Sequence, residues 1–538
     1  MPVRIAGPLG LAVVVTLVNA IKPVLIDDTA YLTFARHLAS QPLDPYSFTL
    51  HWYTFPDRAM DVLLPPVLPY WLAVGIGLFG EHLVLLKLWL FPFLWCFTKS
   101  LDVLLRRFAT GTERIALPLI VLSPAVLPTV NFMLDIPAAA LGLAALAIFT
   151  KRRARWRDAL TAGLLAGFAM QTKYTAMIAP AAIAWHGLTH RRIRPAILAC
   201  AVSVLVFASW EMILESKYGE SHFLHHLADQ RASTANWFQE KAALIPGLFG
   251  HLGLLGFGIA LFAARPLGVP NRFVVGAGIA WMFGLLLLNL LEDELFPARY
   301  YWRTAGFAML SAAAAGAGRL FFKRKRIRRS RDSWFVVGWL LLELAGYFAL
   351  TPFPAARRVI GFAIVFGLLA TRLVRLVPAR KPPKWILPFS VWAGVLVASI
   401  DTVDAYAERA IAEQAAREFR GEKRVWFAGH WGFQYYCERA GFTMIVPGES
   451  VLQPGDVLLL PRQPPQGLGR PHVGLLRITP PKNRVEQLKP MYSVGGFKAQ
   501  TIPNFYGGND PIDDHMGGAA RLSIDRYRIV KPWRVPGK

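Results

Sequence analysis

Side chains suited to acid–base chemistry and to phosphate binding stand at the ends of apolar stretches in this sequence. The adjacent acids Asp27 and Asp28 follow the first apolar run, in VLIDDTAYLTFARHL. The adjacent bases Arg357 and Arg358 precede a late apolar run, in FPAARRV. A carboxylate can act as a general base toward a hydroxyl or amide, and an arginine can hold a phosphate through two parallel hydrogen bonds. If the fold brings the pairs together, they indicate group transfer from a phosphate-bearing donor.

The composition is that of a polytopic membrane protein. Of the 538 residues 54% are hydrophobic and only 17% charged, whereas a soluble domain is about a quarter charged. Apolar runs of span length recur from residue 6 to residue 400. The net charge of +25 lies in short basic clusters between these runs, as expected for cytoplasmic loops. We therefore expect a membrane partner and no nucleic acid, and three cysteines argue against a disulfide scaffold.

The basic clusters predict the topology. If each faces the cytoplasm, consecutive clusters are separated by two spans, and the chain has about thirteen spans with the N-terminus inside and residue 401 outside. The predicted spans are 6–26, 83–105, 114–130, 136–150, 158–172, 174–189, 195–213, 244–264, 272–291, 302–320, 333–350, 359–376 and 385–400.

One further apolar run, 62–80, is excluded from these spans. It carries Pro65, Pro66 and Pro69, which remove backbone donors and are poorly tolerated in lipid unless protein covers them. We predict a juxtamembrane helix lying in the outer interface, within a first external loop of residues 27–82.

The C-terminal residues 401–538 form a separate, soluble α/β domain by their pattern. An amphipathic linker helix is predicted at 402–420. KRVWFAGHWGFQYYCERAG reads as a strand, a glycine turn and a helix, and GDVLLLP reads as a second strand. The predicted organisation is a transmembrane domain at 1–400 followed by this domain on the external side.

With this topology the polar residues at the span ends collect on the outer face. Taken singly, each of them is explained as a hydrated charge at the membrane interface. Together they place carboxylates on the same side of the membrane as the adjacent Arg357 and Arg358. The set comprises Asp27, Asp28, Asp57, Arg58, Asp61, Asp135, Lys173, His222, His225, His226, Asp229, Glu292, Asp293, Glu294, Arg357 and Arg358.

Five stretches in order resemble the bacterial GT-C glycosyltransferases of the family 39 type, whose relatives include protein O-mannosyltransferases and the aminoarabinose transferases that modify lipid A. They are IDDTAYLTFARHL, LPPVLPYWLAVGIGLFGEH, FMLDIPAAALGLAALAIF, GLLAGFAMQTKYTAMI and PAARRVIGFAIVF. The resemblance covers roughly residues 1–400. It implies the GT-C fold and an inverting transfer of a hexose or pentose from a polyprenyl-phosphate donor, on the periplasmic side of a bacterial inner membrane.

The resemblance also implies roles for individual residues. Asp27 matches the first acid of the family pair and is the candidate base. Asp28 then orients the acceptor, assists Asp27 or binds a metal, and Asp135 supports the catalytic pocket. The candidate ligands of the donor phosphate are Arg357, Arg358 and Lys173. The candidate substrate-binding residues in the first loop are Tyr31, Trp52, Tyr53, Asp57 and Asp61, although an interfacial aromatic belt explains Trp52 and Tyr53 equally well.

A divalent metal ion is an open alternative. His222, His226 and Asp229 recur at i, i+4 and i+7, so one helix face could hold a cation, although a wet juxtamembrane helix explains the pattern more simply. Leu63 and Leu64 stand where some relatives carry His or Glu-Lys. No cofactor is assigned from the sequence.

Two alternatives to an enzyme stay open: a flippase of a lipid-linked sugar, and a protein of envelope assembly without activity. Transporters tend to show inverted repeats and broken helices, and the first loop has no counterpart in the second half of the sequence. The acceptor, whether lipid, glycan or protein, is not indicated.

Overall fold

The chain folds mainly into α-helices. The computed structural model describes residues 7–537 apart from 53–54, 233–236, 288–297, 323–329, 378–379, 463–477, 494–498, 503 and 515–521. The helices are α1 (Pro8–Ala20), α2 (Asp28–Ser40), α3 (Ala59–Val62), α4 (Val67–Phe79), α5 (Leu83–Trp89), α6 (Phe91–Phe108), α7 (Glu113–Val121), α8 (Asp135–Phe149), α9 (Trp156–Met170), α10 (Ile178–Thr189), α11 (Ile193–Tyr218), α12 (His222–Ala232), α13 (Trp237–Leu255), α14 (Phe257–Leu267), α15 (Asn271–Leu287), α16 (Ala298–Phe322), α17 (Arg331–Leu350), α18 (Ile360–Leu376), α19 (Ile386–Glu418), α20 (Trp431–Arg439) and α21 (Asn504–Gly507). Short 3₁₀ helices lie at Leu127–Thr129, Tyr174–Met177 and Ala356–Arg358.

Several helices have the length and composition of membrane spans. Among the described residues four qualify, Leu83–Phe108, Ile193–Tyr218, Arg331–Leu350 and Ile386–Glu418, and a fifth is added if α13 and α14 count as one bent span. These apolar helices are those of a membrane protein. The total of about thirteen spans and their direction of insertion stay predictions.

Two segments depart from the straight spans predicted for them. At 114–130 the helix α7, which contains Pro118, ends at Val121, and turns and a 3₁₀ helix follow. At 244–264 the chain forms two helices that meet at Gly256 with a bend of 80°. Neither stretch is one continuous helix.

The first loop contains short elements before the next long helix. Strands β1 (Thr49–His51) and β2 (Pro56–Arg58) pair antiparallel. Helix α4 begins directly after Pro66, and Pro69 lies in its first turn, where a backbone N–H has no partner within the helix to lose. The proline-rich run 62–80 is thus largely helical.

The C-terminal residues combine strands with helix α20. The strands are β3 (Val425–Phe427), β4 (Thr443–Met444), β5 (Val451–Leu452), β6 (Val457–Pro461), β7 (Val485–Tyr492), β8 (Ala499–Gln500), β9 (Asp513–Asp514), β10 (Ser523–Ile529) and β11 (Trp533–Arg534). The main sheet has the order β4-β3-β6-β10-β7. Strand β3 is parallel to its neighbours β4 and β6, whereas β10 is antiparallel to its neighbours β6 and β7. Helix α19 runs unbroken through residue 400 and joins this part to the preceding helices.

Candidate functional site

A cavity with one polar end and an otherwise largely apolar wall lies among α8, α10, α17 and α18. Side chains of these helices, such as Leu143 and Ile364, form the apolar wall. The polar end is formed by residues from three separate chain segments, Asp135, Lys173, Thr351, Arg357 and Arg358. Such a cavity suits an anionic group joined to an apolar chain.

The polar end forms where helices begin. Asp135 is the first residue of α8. Lys173 directly precedes the 3₁₀ helix Tyr174–Met177, and Arg357 and Arg358 lie in the 3₁₀ helix that leads into α18. The unsatisfied N–H groups at helix starts carry partial positive charge. Backbone and side chains therefore both favour an anion there.

Two of the three cations in this end are paired with acids. The Lys173 ammonium donates to Asp135, and the Arg357 guanidinium donates to Asp27, 330 residues away in sequence. Arg358 has no ion pair with a described residue. Its guanidinium lies over the ring of Phe353, 5.0 Å from the centroid, and its Nε makes no hydrogen bond. We call Asp27, Asp135, Lys173, Arg357 and Arg358 the cavity set, and it carries one positive charge in excess.

Burial tunes the cations of the cavity set. Burial lowers the pKa of Lys173 to about 8, although Asp135 opposes the change. Burial and the neighbouring Arg357 lower the pKa of Arg358 to about 10. Burial also opposes the charge of Arg357, but Asp27 and Asp135 outweigh it and raise the pKa above the ordinary value. At neutral pH all three side chains are protonated, and Arg358 gains most from an added anion.

The adjacent acids Asp27 and Asp28 turn in different directions. Asp27 directly precedes α2 and forms an ion pair with Arg357. It does not line the cavity itself but contacts a residue that does. Asp28 is fully buried and its Oδ2 lies 3.3 Å from the ammonium of Lys87. Burial raises the pKa of Asp28 against the opposing effect of Lys87. The two adjacent acids thus contact different cations, Arg357 and Lys87.

A second group of buried ion pairs lies outside the cavity lining. Besides Lys87 and Asp28 it contains Lys22, whose Nζ lies 3.0 Å from Oδ2 of Asp401. The four side chains are at most 2% exposed. We call them the sealed set; its charges balance, and none of its members lines the cavity.

The other first-loop candidates lie at different distances from the cavity set. Tyr31 is buried in α2, and burial together with the charge of Asp27 raises its pKa. Trp52 and Asp57 are half-buried near the β1–β2 hairpin and do not line the cavity. Tyr53 lies outside the described residues, as do the acids Glu292, Asp293 and Glu294.

The histidines predicted as metal ligands are engaged with protein groups. In α12, Nδ1 of His222 pairs with the hydroxyl of Tyr174, and Nε2 lies 2.9 Å from the carbonyl oxygen of Leu63. Nε2 of His226 lies 3.1 Å from the same carbonyl. Both ring nitrogens of His222 are thereby used, and the Asp229 side chain lies outside the described residues.

Another group in the same region brings three possible ligand atoms close together. One ligand atom each from Asp61, Glu220 and His225 lies within 4.8 Å of the others. All three side chains are half-buried, and Arg58 neighbours both carboxylates. Carboxylate and imidazole are ligands that zinc accepts.

The sequence reasoning passed over three charged residues in apolar runs. Glu343 lines the cavity wall and accepts a hydrogen bond from Nε1 of Trp339 at 3.0 Å. Lys22 and Lys87 complete the sealed set. Each stands in or beside an apolar run, and an isolated charge at membrane depth is a signal that sequence alone can provide.

Comparisons with known proteins give structural neighbours only. No family model matches the chain, and no curated protein matches it. One similar solved structure is the oligosaccharyltransferase of Archaeoglobus fulgidus, crystallised with Zn and sulfate, at 13% identity and a TM-score of 0.45. That alignment covers 81% of this chain and 62% of the other, so this chain spans less than two thirds of the oligosaccharyltransferase.

Two further neighbours were solved with lipid phosphates. The same archaeal enzyme, named AglB, in complex with an inhibitory peptide and a dolichol-phosphate, is 12% identical with a TM-score of 0.45, and the match covers 81% of this chain and 64% of AglB. ArnT from Cupriavidus metallidurans, bound to undecaprenyl phosphate, is 14% identical with a TM-score of 0.43 over 84% of this chain and 92% of ArnT. AglB and ArnT are glycosyltransferases of the GT-C class, to which the sequence resemblance pointed.

Proposed function

We propose that this protein transfers a sugar from a polyprenyl-phosphate donor to an acceptor of the cell envelope. The observation that carries the proposal is the cavity, whose polar end holds an excess positive charge and whose remaining wall is largely apolar. A polyprenyl phosphate has matching parts, an anionic head and an apolar chain.

Arg358 is the proposed main ligand of the donor phosphate. Its guanidinium faces the cavity with no carboxylate partner among the described residues, whereas Arg357 and Lys173 already have one each. Arg358 itself therefore gives up no ion pair when it forms a charge-assisted contact with the phosphate. Arg357 and Lys173 add positive charge from the sides of the same cavity end.

Asp27 is the proposed general base. A hydroxyl or amide of the acceptor loses its proton to the Asp27 carboxylate and attacks the anomeric carbon, while the bond from that carbon to the phosphate oxygen breaks. The leaving polyprenyl phosphate takes the bonding electron pair and is stabilised by Arg358. One displacement inverts the anomeric configuration and needs no nucleophile from the protein.

Donor binding and the base are coupled through Arg357 in this proposal. In the free protein Arg357 pairs with Asp27. A donor phosphate at Arg358 competes for the Arg357 guanidinium, which weakens its hold on Asp27. The carboxylate then becomes available to an acceptor when the donor is in place.

The remaining proposed roles follow from the contacts. Asp135 holds Lys173 at the cavity, and Asp28 fixes the start of α2 through Lys87. A divalent ion, if one binds, would be held by Asp61, Glu220 and His225 and would supply positive charge near the first loop. We place the protein in a bacterial inner membrane with about thirteen spans, its N-terminus cytoplasmic, and the cavity and C-terminal domain periplasmic.

The test compares cells that lack the gene with cells that carry the wild type or Asp27→Asn. Mass spectrometry of envelope lipids and glycans should show one sugar modification that disappears without the gene and returns with the wild type only. Loss of a general base costs about 10²–10⁴-fold in rate. Full modification by Asp27→Asn would refute the base, and unchanged envelopes without the gene would refute the function.

A flippase gives the same envelope result, so a second measurement separates the two. The protein is purified in detergent, where no membrane separates two compartments, and is given a whole envelope extract as the source of both donor and acceptor. A transferase still releases free polyprenyl phosphate there, whereas a flippase releases none.

A further inference from the structure

A short C-terminal segment lies against the helices that form the cavity. This docking segment, residues 504–512, begins with α21 and is followed by a loop. Phe505, Tyr506 and Ile512 are almost completely buried and pack into the same hydrophobic core as the apolar helices. The docking segment is therefore part of the helical core, although it belongs to the C-terminal residues in sequence.

Polar contacts fix the segment at three places. The hydroxyl of Tyr506 donates to Asp401 at 2.8 Å and accepts from Asn131 at 3.1 Å. Nε2 of the fully buried His251 lies 2.8 Å from the carbonyl oxygen of Gly508 and donates to it. These contacts use groups from the 3₁₀ region after α7, from α13 and from α19.

The third place is an ion pair. Arg303 of α16 binds Asp510 through two parallel hydrogen bonds of 3.1 and 3.0 Å. A two-bond pair of this kind fixes direction as well as distance. It lies at the far end of the docking segment from α21.

Helix α21, at the start of the docking segment, contacts the residues that hold Arg358 in place. Helix α21 packs against the 3₁₀ helix Ala356–Arg358. Gly507 faces the ring of Phe353, since a Cβ at Gly507 would lie 3.6 Å from that ring. The same ring carries the Arg358 guanidinium. Because Arg358 forms no ion pair with an acid in the described part of the chain, Phe353 and the 3₁₀ helix set its position.

We propose that the docking segment positions Arg358, so that the C-terminal region completes the donor-phosphate site. This inference rests on the proposed function. Asp510 and Phe353 are positioning residues: they touch no substrate and act through Arg358. Loosening the Arg303–Asp510 pair should weaken phosphate binding by letting Arg358 leave its place over the cavity.

The test measures binding of undecaprenyl phosphate to the purified full-length protein. Asp510→Arg should weaken binding about tenfold, and adding Arg303→Asp should restore most of it, because the exchanged charges form the pair again. The matched control is Glu422→Arg, which breaks an Arg528–Glu422 pair of 2.8 Å within the C-terminal part and should leave binding unchanged.

A double-mutant cycle with Arg358→Ala separates positioning from general loosening. If Asp510 acts through Arg358, Asp510→Arg has no further effect once Arg358 is removed. Equal binding by Asp510→Arg and wild type, or an undiminished loss in the Arg358→Ala background, would overturn the inference. Asp510→Asn makes the same comparison if the reversed charge prevents folding. Absence of binding by the wild type would refute the proposed function instead.

Discussion

The cavity set and the sealed set are built from the same kinds of side chain, yet they differ in balance. The sealed set pairs each lysine with one aspartate and is almost completely buried. The cavity set has the same two-pair pattern plus Arg358. The adjacent residues Asp27 and Asp28 contribute one carboxylate to each set. A balanced buried set has no need of a ligand, whereas the excess cation of the cavity set does.

Because the two sets differ in charge balance, mutations in them should affect different properties of the protein. Removing one member of a sealed pair leaves a buried charge without a partner, which costs free energy of folding. Removing Arg358 leaves no charge unpaired, so the cost should appear in ligand binding. Stability and affinity therefore report on different sets.

The largest effect is expected in the sealed set. Lys87→Met leaves Asp28 buried without its cation, which should lower the free energy of unfolding by about 3–5 kcal/mol. Thermal unfolding in detergent measures this loss. Lys87→Met combined with Asp28→Asn should recover part of it, because no charge then remains to be buried. An unfolding temperature for Lys87→Met equal to that of the wild type would mean that the pair contributes nothing to folding.

The next effect belongs to the cavity set. Arg358→Ala should weaken binding of undecaprenyl phosphate roughly 30- to 150-fold, about 2–3 kcal/mol for a lost charged hydrogen bond, at an unchanged unfolding temperature. Arg358→Lys is the control that keeps the charge and loses the two-bond geometry, so its affinity should lie between the two. Loss of stability with unchanged affinity would exchange the roles of the two sets.

The sequence predicted most of the charged residues of the cavity set, but it could not predict which of them form ion pairs with each other. Charged residues at the ends of apolar runs predicted Asp27, Asp135, Lys173 and the two arginines as candidates. Which arginine is free depends on contacts between distant segments, such as the one joining Arg357 to Asp27 across 330 positions. Local pattern carries no information on that distance.

The helices divide in the same way. Apolar length located α11, α17 and α18 well, because a long apolar run has few alternatives to a helix. The bend at Gly256 and the early end of α7 depend on packing against neighbouring helices, and proline or glycine only permits them. The docking segment carries the glycines and proline that are typical of a loop, and nothing local indicates that it lies in the helical core.

A smaller effect should follow from pH. Burial lowers the pKa of Lys173 to about 8, so the ammonium is intact at pH 7 and is lost as pH rises above 8. Binding of undecaprenyl phosphate should therefore weaken about twofold between pH 7 and pH 8 and about tenfold between pH 7 and pH 9, where roughly a tenth of the side chain is protonated. Lys173→Arg stays charged and should remove this dependence. A wild-type affinity that does not change from pH 7 to 9 would show that the charge of Lys173 does not contribute to phosphate binding.

The smallest effect concerns Glu343, which lines the cavity but is not a member of the cavity set. Glu343 also lines the cavity, but its contact is Nε1 of Trp339 on α17, and it pairs with no cation among the described residues. Glu343→Gln keeps the shape and the hydrogen-bond acceptor and removes only the charge. Binding of undecaprenyl phosphate should change by less than about threefold, under 0.7 kcal/mol. A gain of tenfold or more would show that this carboxylate cancels the charge of Arg358 in the wild type, so that the cavity set is balanced as the sealed set is.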